Sequence, residues 1–88
     1  MSTIRVLIVE DDPIIGEDIY DMLTNVDYSV VAIAYSKTEA IDYINDEQPD
    51  LVLLDINLDG SYEGFDVASH INKTRRVPFL YLTSYSGK

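Results

Sequence analysis

The chain contains no cysteine and no tryptophan, and lysine and arginine together supply only 6 of its 88 residues. The lack of cysteine excludes disulfides, thiolate metal sites and cysteine nucleophiles. The 16 acidic residues leave a net charge of −10. Because no basic stripe is present to neutralise phosphates, we expect no nucleic-acid contact from this segment.

Long apolar runs are also missing. No stretch approaches the roughly 20 residues that a membrane-spanning helix needs, so we expect neither a membrane span nor a signal peptide. A cytoplasmic location is the default expectation. An apolar content of 47% and a charged content of 25% are typical of a globular protein. With 88 residues, the chain has room for one small domain, over residues 1–88.

Short apolar runs alternate with segments of helical periodicity. Runs rich in valine, isoleucine and leucine predict four strands, at residues 4–9, 29–34, 51–54 and 77–82. Three helical patterns lie between them, and the first places five apolar side chains on one face: Ile15, Ile19, Met22, Leu23 and Val26. This alternation predicts a doubly wound α/β fold, in which helices cover both faces of a parallel sheet.

Capping signals mark the starts of the first two helices. Asp12 followed by Pro13 is typical of an N-cap and the first helical position. Ser36 and Glu39 stand at the spacing of a capping box. The third pattern consists of four small or apolar residues at helical spacing: Gly64, Val67, Ala68 and Ile71.

Carboxylates directly follow two of the predicted strands. Glu10 and Asp11 come after the first strand, and Asp55 comes after the third. In an open parallel sheet the carboxyl ends of the strands meet at one edge, where ligands bind. Three carboxylates crowded there repel each other unless a cation joins them, which predicts a hard divalent metal. Helix capping explains Asp12 but not the other three acids.

Three sequence motifs resemble those of a known protein family. IVEDDP after the first strand, LVLLDINLDG at the third and FLYLTS at the fourth resemble the receiver domain of two-component response regulators. The motifs stand in the right order, and the resemblance covers the whole chain. It implies a flavodoxin-like sheet of strand order 2-1-3-4-5. It also implies a phosphorylated signalling switch, not an enzyme with a separate substrate, whose partner is a sensor histidine kinase or a phosphotransfer protein.

The resemblance implies a role for each acidic residue at this edge. Asp55 matches the phosphoacceptor, and Glu10 and Asp11 match the acidic pair that binds Mg²⁺ together with it. Asn57 matches the residue whose backbone carbonyl completes the metal ligands. The chemistry is consistent, because a carboxylate can attack phosphorus to give an aspartyl-phosphate, and Mg²⁺ neutralises the charge that opposes this attack.

Two features concern the end of the chain. Thr83, with Ser84 beside it, matches the hydroxyl residue that bonds the phosphoryl group, although a threonine at a strand end also has a simple structural explanation. A complete receiver continues into a fifth strand that ends in a lysine, and then into further helices. Lys88 does not occupy that position. We therefore expect an incomplete receiver, an output domain beyond Lys88, and oligomerisation through the exposed edge of the fourth strand.

Two other functions stay open. Residues 55–66 nearly fit an EF-hand calcium loop, with oxygen-bearing residues at most ligand positions and Gly60 at the sharp turn. That loop would need a helix before it and a glutamate in place of Asp66. An aspartate-nucleophile phosphatase shares the phosphoryl chemistry, but it would be expected to carry a second acid where this chain has Asn57. The Asp59-Gly60 pair also replaces a proline that is common in receivers.

Overall fold

A computed structural model describes residues 3–55 and 78–82 of the chain. They form four strands and two helices: β1 (Arg5–Val9), α1 (Pro13–Thr24), β2 (Ser29–Ala34), α2 (Lys37–Glu47), β3 (Leu51–Asp55) and β4 (Phe79–Leu82). The third predicted helix lies outside the described residues. The predicted strand bounds are correct for β2, and they differ by one or two residues at one end of each of the others.

The four strands form one parallel sheet of order β2-β1-β3-β4. This order confirms the predicted doubly wound α/β fold. Four consecutive residues of β1, Val6–Val9, have no exposed surface at all. A central strand that is covered by helices on both sides is apolar on both faces. This explains why the apolar residues of β1 are consecutive and do not alternate with polar ones.

One face of the sheet packs against α2. Ala40 and Ile44 of this helix join a buried cluster with alternate residues of the two central strands: Leu7, Val9, Val52 and Leu54. One of the two bonds of the predicted capping box is present at the start of α2, where the Ser36 hydroxyl accepts a hydrogen bond from the Glu39 N–H at 3.2 Å. The Glu39 carboxylate reaches one residue further back than in the standard motif and accepts from the Tyr35 N–H at 2.7 Å.

The other helix, α1, packs against β1 and β2. Its N-cap is Asp12, whose carboxylate accepts a hydrogen bond from the Ile14 N–H at 2.9 Å, and Pro13 begins the helix as predicted. The predicted apolar face is only partly buried, since Ile15 is 38% and Met22 is 62% exposed. Neither of the two described helices is long and apolar enough to cross a bilayer.

A bulge interrupts the pairing of β1 with β2. Val6 pairs with Val30, but Leu7 pairs with Ala32, so that Val31 is an extra residue in the edge strand. Val31 and Ala32 both pack against the cluster on the α2 side. The bulge therefore lets two successive residues of β2 contribute to the same core.

Arg5 connects three elements at the amino end of the sheet. Its guanidinium donates hydrogen bonds to the carbonyl oxygens of Glu47, at 2.7 Å, and Gln48, at 3.2 Å. Its backbone N–H donates to the Asp50 carboxylate at 2.9 Å, and its carbonyl accepts from the Asp50 N–H at 2.8 Å. These bonds satisfy carbonyls at the end of α2 that the helix itself cannot satisfy.

Candidate functional site

The carboxyl ends of three strands meet at one edge of the sheet. Val9, the last residue of β1, pairs with Leu54 of β3, so the next residues in register are Glu10 and Asp55. Asp55 in turn pairs with Leu82, the last residue of β4. The structure thus brings Glu10 and Asp55 to neighbouring positions, and we call this edge the acidic rim. It consists of Glu10, Asp11 and Asp55.

Glu10 is the buried member of the acidic rim, with 2% of its surface exposed. Its backbone N–H donates to the Ala34 carbonyl at 2.9 Å, which extends the β1–β2 ladder by one residue. Its carboxylate accepts a hydrogen bond from the Asp12 N–H at 3.1 Å. A buried carboxylate is costly unless hydrogen bonds or charges compensate it, and the turn into α1 supplies one such bond.

The three successive acids of this turn occupy different environments. Glu10 is buried, Asp11 is half-buried and Asp12 is exposed. Asp12 is engaged as the N-cap of α1. The separation of a capping acid from the two preceding acids, which the sequence suggests, therefore agrees with the structure.

Gly16 is a residue of this region that sequence reasoning missed. A Cβ atom at Gly16 would lie 3.2 Å from Cγ2 of Ile33 and 3.9 Å from Cγ of Glu10. The lack of a side chain lets the first turns of α1 approach the sheet closely beside the acidic rim. The position of this glycine inside an otherwise apolar helical pattern could have indicated the close approach of α1 to the sheet, because glycine is unfavourable in a helix unless close packing requires it.

The acidic rim offers only oxygen donors, and this donor set fits Mg²⁺ or another hard divalent cation. Within residues 3–55 and 78–82, no group of three or more acidic, histidine or cysteine side chains suffices by itself to hold a metal ion. Glu10 and Asp11 are the two acids of the rim whose side chains are described. Three other predicted site residues lie outside the described part of the chain: Asn57, Thr83 and Ser84.

The calcium-loop interpretation is wrong, because the helix that it requires directly before Asp55 is absent in this described part of the chain. An EF-hand loop that begins at Asp55 would follow a helix. The residues before it instead form β3 (Leu51–Asp55), a strand in the middle of a parallel sheet.

A parallel sheet of order 2-1-3-4 has the topology of the flavodoxin-like doubly wound fold and not the strand order of the dinucleotide-binding fold. The family model of the response regulator receiver domain matches residues 6–88. The chain therefore belongs to the receiver domain family of two-component response regulators, whose members are phosphoproteins of signal transduction.

Similar proteins include regulators of several bacteria. The chain is 32% identical to the phyllosphere-induced regulator PhyR of Methylorubrum extorquens, over 92% of this chain and 31% of that protein. It is 37% identical to the transcriptional regulatory protein PdtaR of Mycobacterium tuberculosis, over 96% of this chain and 40% of that protein. The chain thus spans less than half the length of these relatives.

A solved structure supports the fold. PhyR of Bartonella quintana, in complex with the anti-sigma factor NepR, matches with a TM-score of 0.85 and 33% identity. The match covers 90% of this chain and 33% of that chain.

Proposed function

We propose that the chain is a phosphorylation-dependent switch in which Asp55 accepts a phosphoryl group from a sensor histidine kinase or a phosphotransfer protein. The observation that carries this proposal is the register of β1 and β3, which sets Glu10 beside Asp55 at one edge of the sheet. The family assignment supports it, because receiver domains are signalling switches.

The reaction needs a nucleophile and neutralised charge. The Asp55 carboxylate attacks phosphorus, so that a P–O bond forms while the P–N bond to the donor histidine breaks. Glu10, Asp11 and Asp55, with the Asn57 carbonyl, would hold Mg²⁺. The bound Mg²⁺ would neutralise negative charge on the transferring phosphoryl oxygens. We assign Thr83, with Ser84 beside it, to bond the phosphoryl group after transfer.

Glu10 is suited to a supporting role in this reaction. Its carboxylate is buried, and the Asp12 N–H fixes its position through a hydrogen bond of 3.1 Å. A group that is held before the reaction does not have to reorganise when charge develops, and this reduces the barrier. We therefore assign Glu10 to fix the metal beside Asp55 rather than to react itself.

The proposal extends to the partners of the chain. It would act in the cytoplasm and switch a downstream output. It would catalyse only its own phosphorylation and dephosphorylation. Multiple turnover of phosphate esters by the purified protein would contradict this and would favour the aspartate-nucleophile phosphatase instead.

Treatment of the full-length protein with acetyl phosphate and Mg²⁺ tests the assignment of Asp55. We expect one phosphoryl group per chain, stable in acid and labile in base, measured by intact mass. Asp55→Asn should abolish the addition because the nucleophile is removed. Asp46→Asn, which changes an exposed residue of α2, is the matched control and should be phosphorylated normally. Undiminished labelling of Asp55→Asn would refute the assignment.

A further inference from the structure

Gly16 of α1 lies directly against the buried member of the acidic rim. A Cβ atom at this position would lie 3.9 Å from Cγ and 4.0 Å from Cβ of Glu10, and 3.2 Å from Cγ2 of Ile33 in the edge strand β2. Gly16 is also the only buried residue of α1. The point at which this helix lies closest to the sheet is therefore the point at which it covers the side chain of Glu10.

The backbone of Asp12 connects Gly16 to the carboxylate of Glu10. The Gly16 N–H donates to the Asp12 carbonyl at 2.9 Å, and the Asp12 N–H donates to the Glu10 carboxylate at 3.1 Å. Hydrogen bonds of this type span about 2.7–3.2 Å, so the second bond is close to its upper limit. A displacement of Asp12 by a few tenths of an ångström away from Glu10 would break it.

A side chain at Gly16 would cause a displacement of this size. Carbon atoms pack at about 3.5–4.0 Å, whereas the added Cβ atom would lie 3.2 Å from the Ile33 methyl group. Ile33 yields little, because a β-branched side chain is stiff at χ1 and because this residue pairs with Ile8 in the sheet. The first turn of α1 moves instead, and its N-cap residue Asp12 moves with it.

We propose that Gly16 is a positioning residue for the metal site. Its missing side chain lets α1 lie so close to the sheet that the Asp12 N–H holds the Glu10 carboxylate in place. This inference rests on the proposed function, in which Glu10 helps to hold Mg²⁺. A carboxylate that is already held in place loses less side-chain entropy when it binds the metal.

Substitution of Gly16 in the full-length protein tests the inference. Without metal, Gly16→Ala should move the backbone amide proton resonance of Asp12 upfield, because its hydrogen bond lengthens. In calorimetric titrations the same variant should bind Mg²⁺ about threefold to tenfold more weakly, which corresponds to the cost of ordering one side chain. Ile33→Ala removes the crowded methyl group and should restore both values in Gly16→Ala, whereas Ile33→Val keeps Cγ2 and should restore neither.

A destabilising control separates positioning from a general loss of stability. Ile44→Val, in the core cluster to which α2 contributes, leaves a small cavity but should change neither the Asp12 resonance nor the affinity for Mg²⁺. Equal weakening by Ile44→Val, or an unchanged affinity in Gly16→Ala, would overturn the inference and leave the proposed function intact. An unsubstituted protein that binds no Mg²⁺ would instead refute the metal site of the proposed function, and with it the role of Gly16.

Discussion

Three adjacent acids, Glu10, Asp11 and Asp12, look alike in the sequence, but the fold gives each a different environment. The strand end buries the first, and the helix start engages the third as its N-cap. The residue types and their order were sufficient to predict Asp12 as the N-cap, because N-caps have a local signature. They did not predict that Glu10 is buried and Asp11 only half-buried. The hydrogen bond from the Asp12 N–H to the Glu10 carboxylate was not predictable, since it depends on the conformation of the turn.

These environments predict how substitutions affect metal binding. Glu10→Gln and Asp11→Asn should each weaken Mg²⁺ binding by about tenfold, because each removes a charge from the acidic rim. Asp12→Asn is the control, since asparagine also caps helices, and it should bind Mg²⁺ normally. Isothermal titration calorimetry measures these affinities. Mn²⁺ should replace Mg²⁺, whereas submicromolar Ca²⁺ binding without a response to Mg²⁺ would contradict the proposed site.

Whether Gly16→Ala stabilises or destabilises the protein depends on the neighbouring side chain of Ile33. Gly16→Ala gains about 1 kcal/mol of helix propensity, but the new methyl group would lie 3.2 Å from Cγ2 of Ile33. Overpacking typically costs about 1–3 kcal/mol, so Gly16→Ala should lower the midpoint of thermal unfolding. In the Ile33→Ala background the crowding is absent, and Gly16→Ala should then raise the midpoint. The same sign in both backgrounds would show that this contact does not determine the choice of glycine.

The elements of this fold differ in how well the sequence predicted them. β1 and both helix starts were predictable, because continuous apolar runs and caps are local signals. The bulge at Val31 was not, because an extra valine within an apolar run changes nothing in the pattern. The exposure of Met22 was also missed, because periodicity defines an apolar face but does not show what covers it.

Contacts between elements also give a prediction about Arg5. Its guanidinium donates hydrogen bonds to two carbonyls at the end of α2 and forms a salt bridge with Glu47. The side chain of Arg5 is 40% exposed and that of Glu47 is 45% exposed. Exposed salt bridges contribute little, so Glu47→Gln should cost about 0.5 kcal/mol or less. Arg5→Met keeps the apolar stem but loses the bonds to the carbonyls, and should cost about 1–2 kcal/mol.

Urea unfolding measures both free energies. Equal costs for Arg5→Met and Glu47→Gln would mean that the ion pair, and not the capping of α2, is the important contact.

Within the described part of the chain, β4 ends the sheet on the side away from β2, and this edge is only partly covered. Leu80 of β4 is 58% exposed and pairs in register with Leu53, which is nearly buried. An apolar edge strand favours pairing with another chain. We therefore predict that a polypeptide of residues 1–88 self-associates through the β4 edge.

Size-exclusion chromatography and thermal melting of that polypeptide test the prediction. Leu80→Lys should reduce self-association, because a charge on an edge strand opposes pairing. A monomer that melts cooperatively at high temperature would contradict it.

The hydrogen bond between Arg5 and Asp50 joins residues that are 45 positions apart in the chain. Closing so long a loop costs entropy before any contact is gained, and such pairings form slowly during folding. The neighbouring positions of Glu10 and Asp55 require the same pairing of β1 with β3. A partly folded chain that lacks this pairing would not hold Glu10 beside Asp55 and so would not assemble the proposed metal ligands. If the proposed function is correct, the chain would therefore become competent for phosphorylation only after β1 and β3 have paired, and incompletely folded copies would not respond to the kinase.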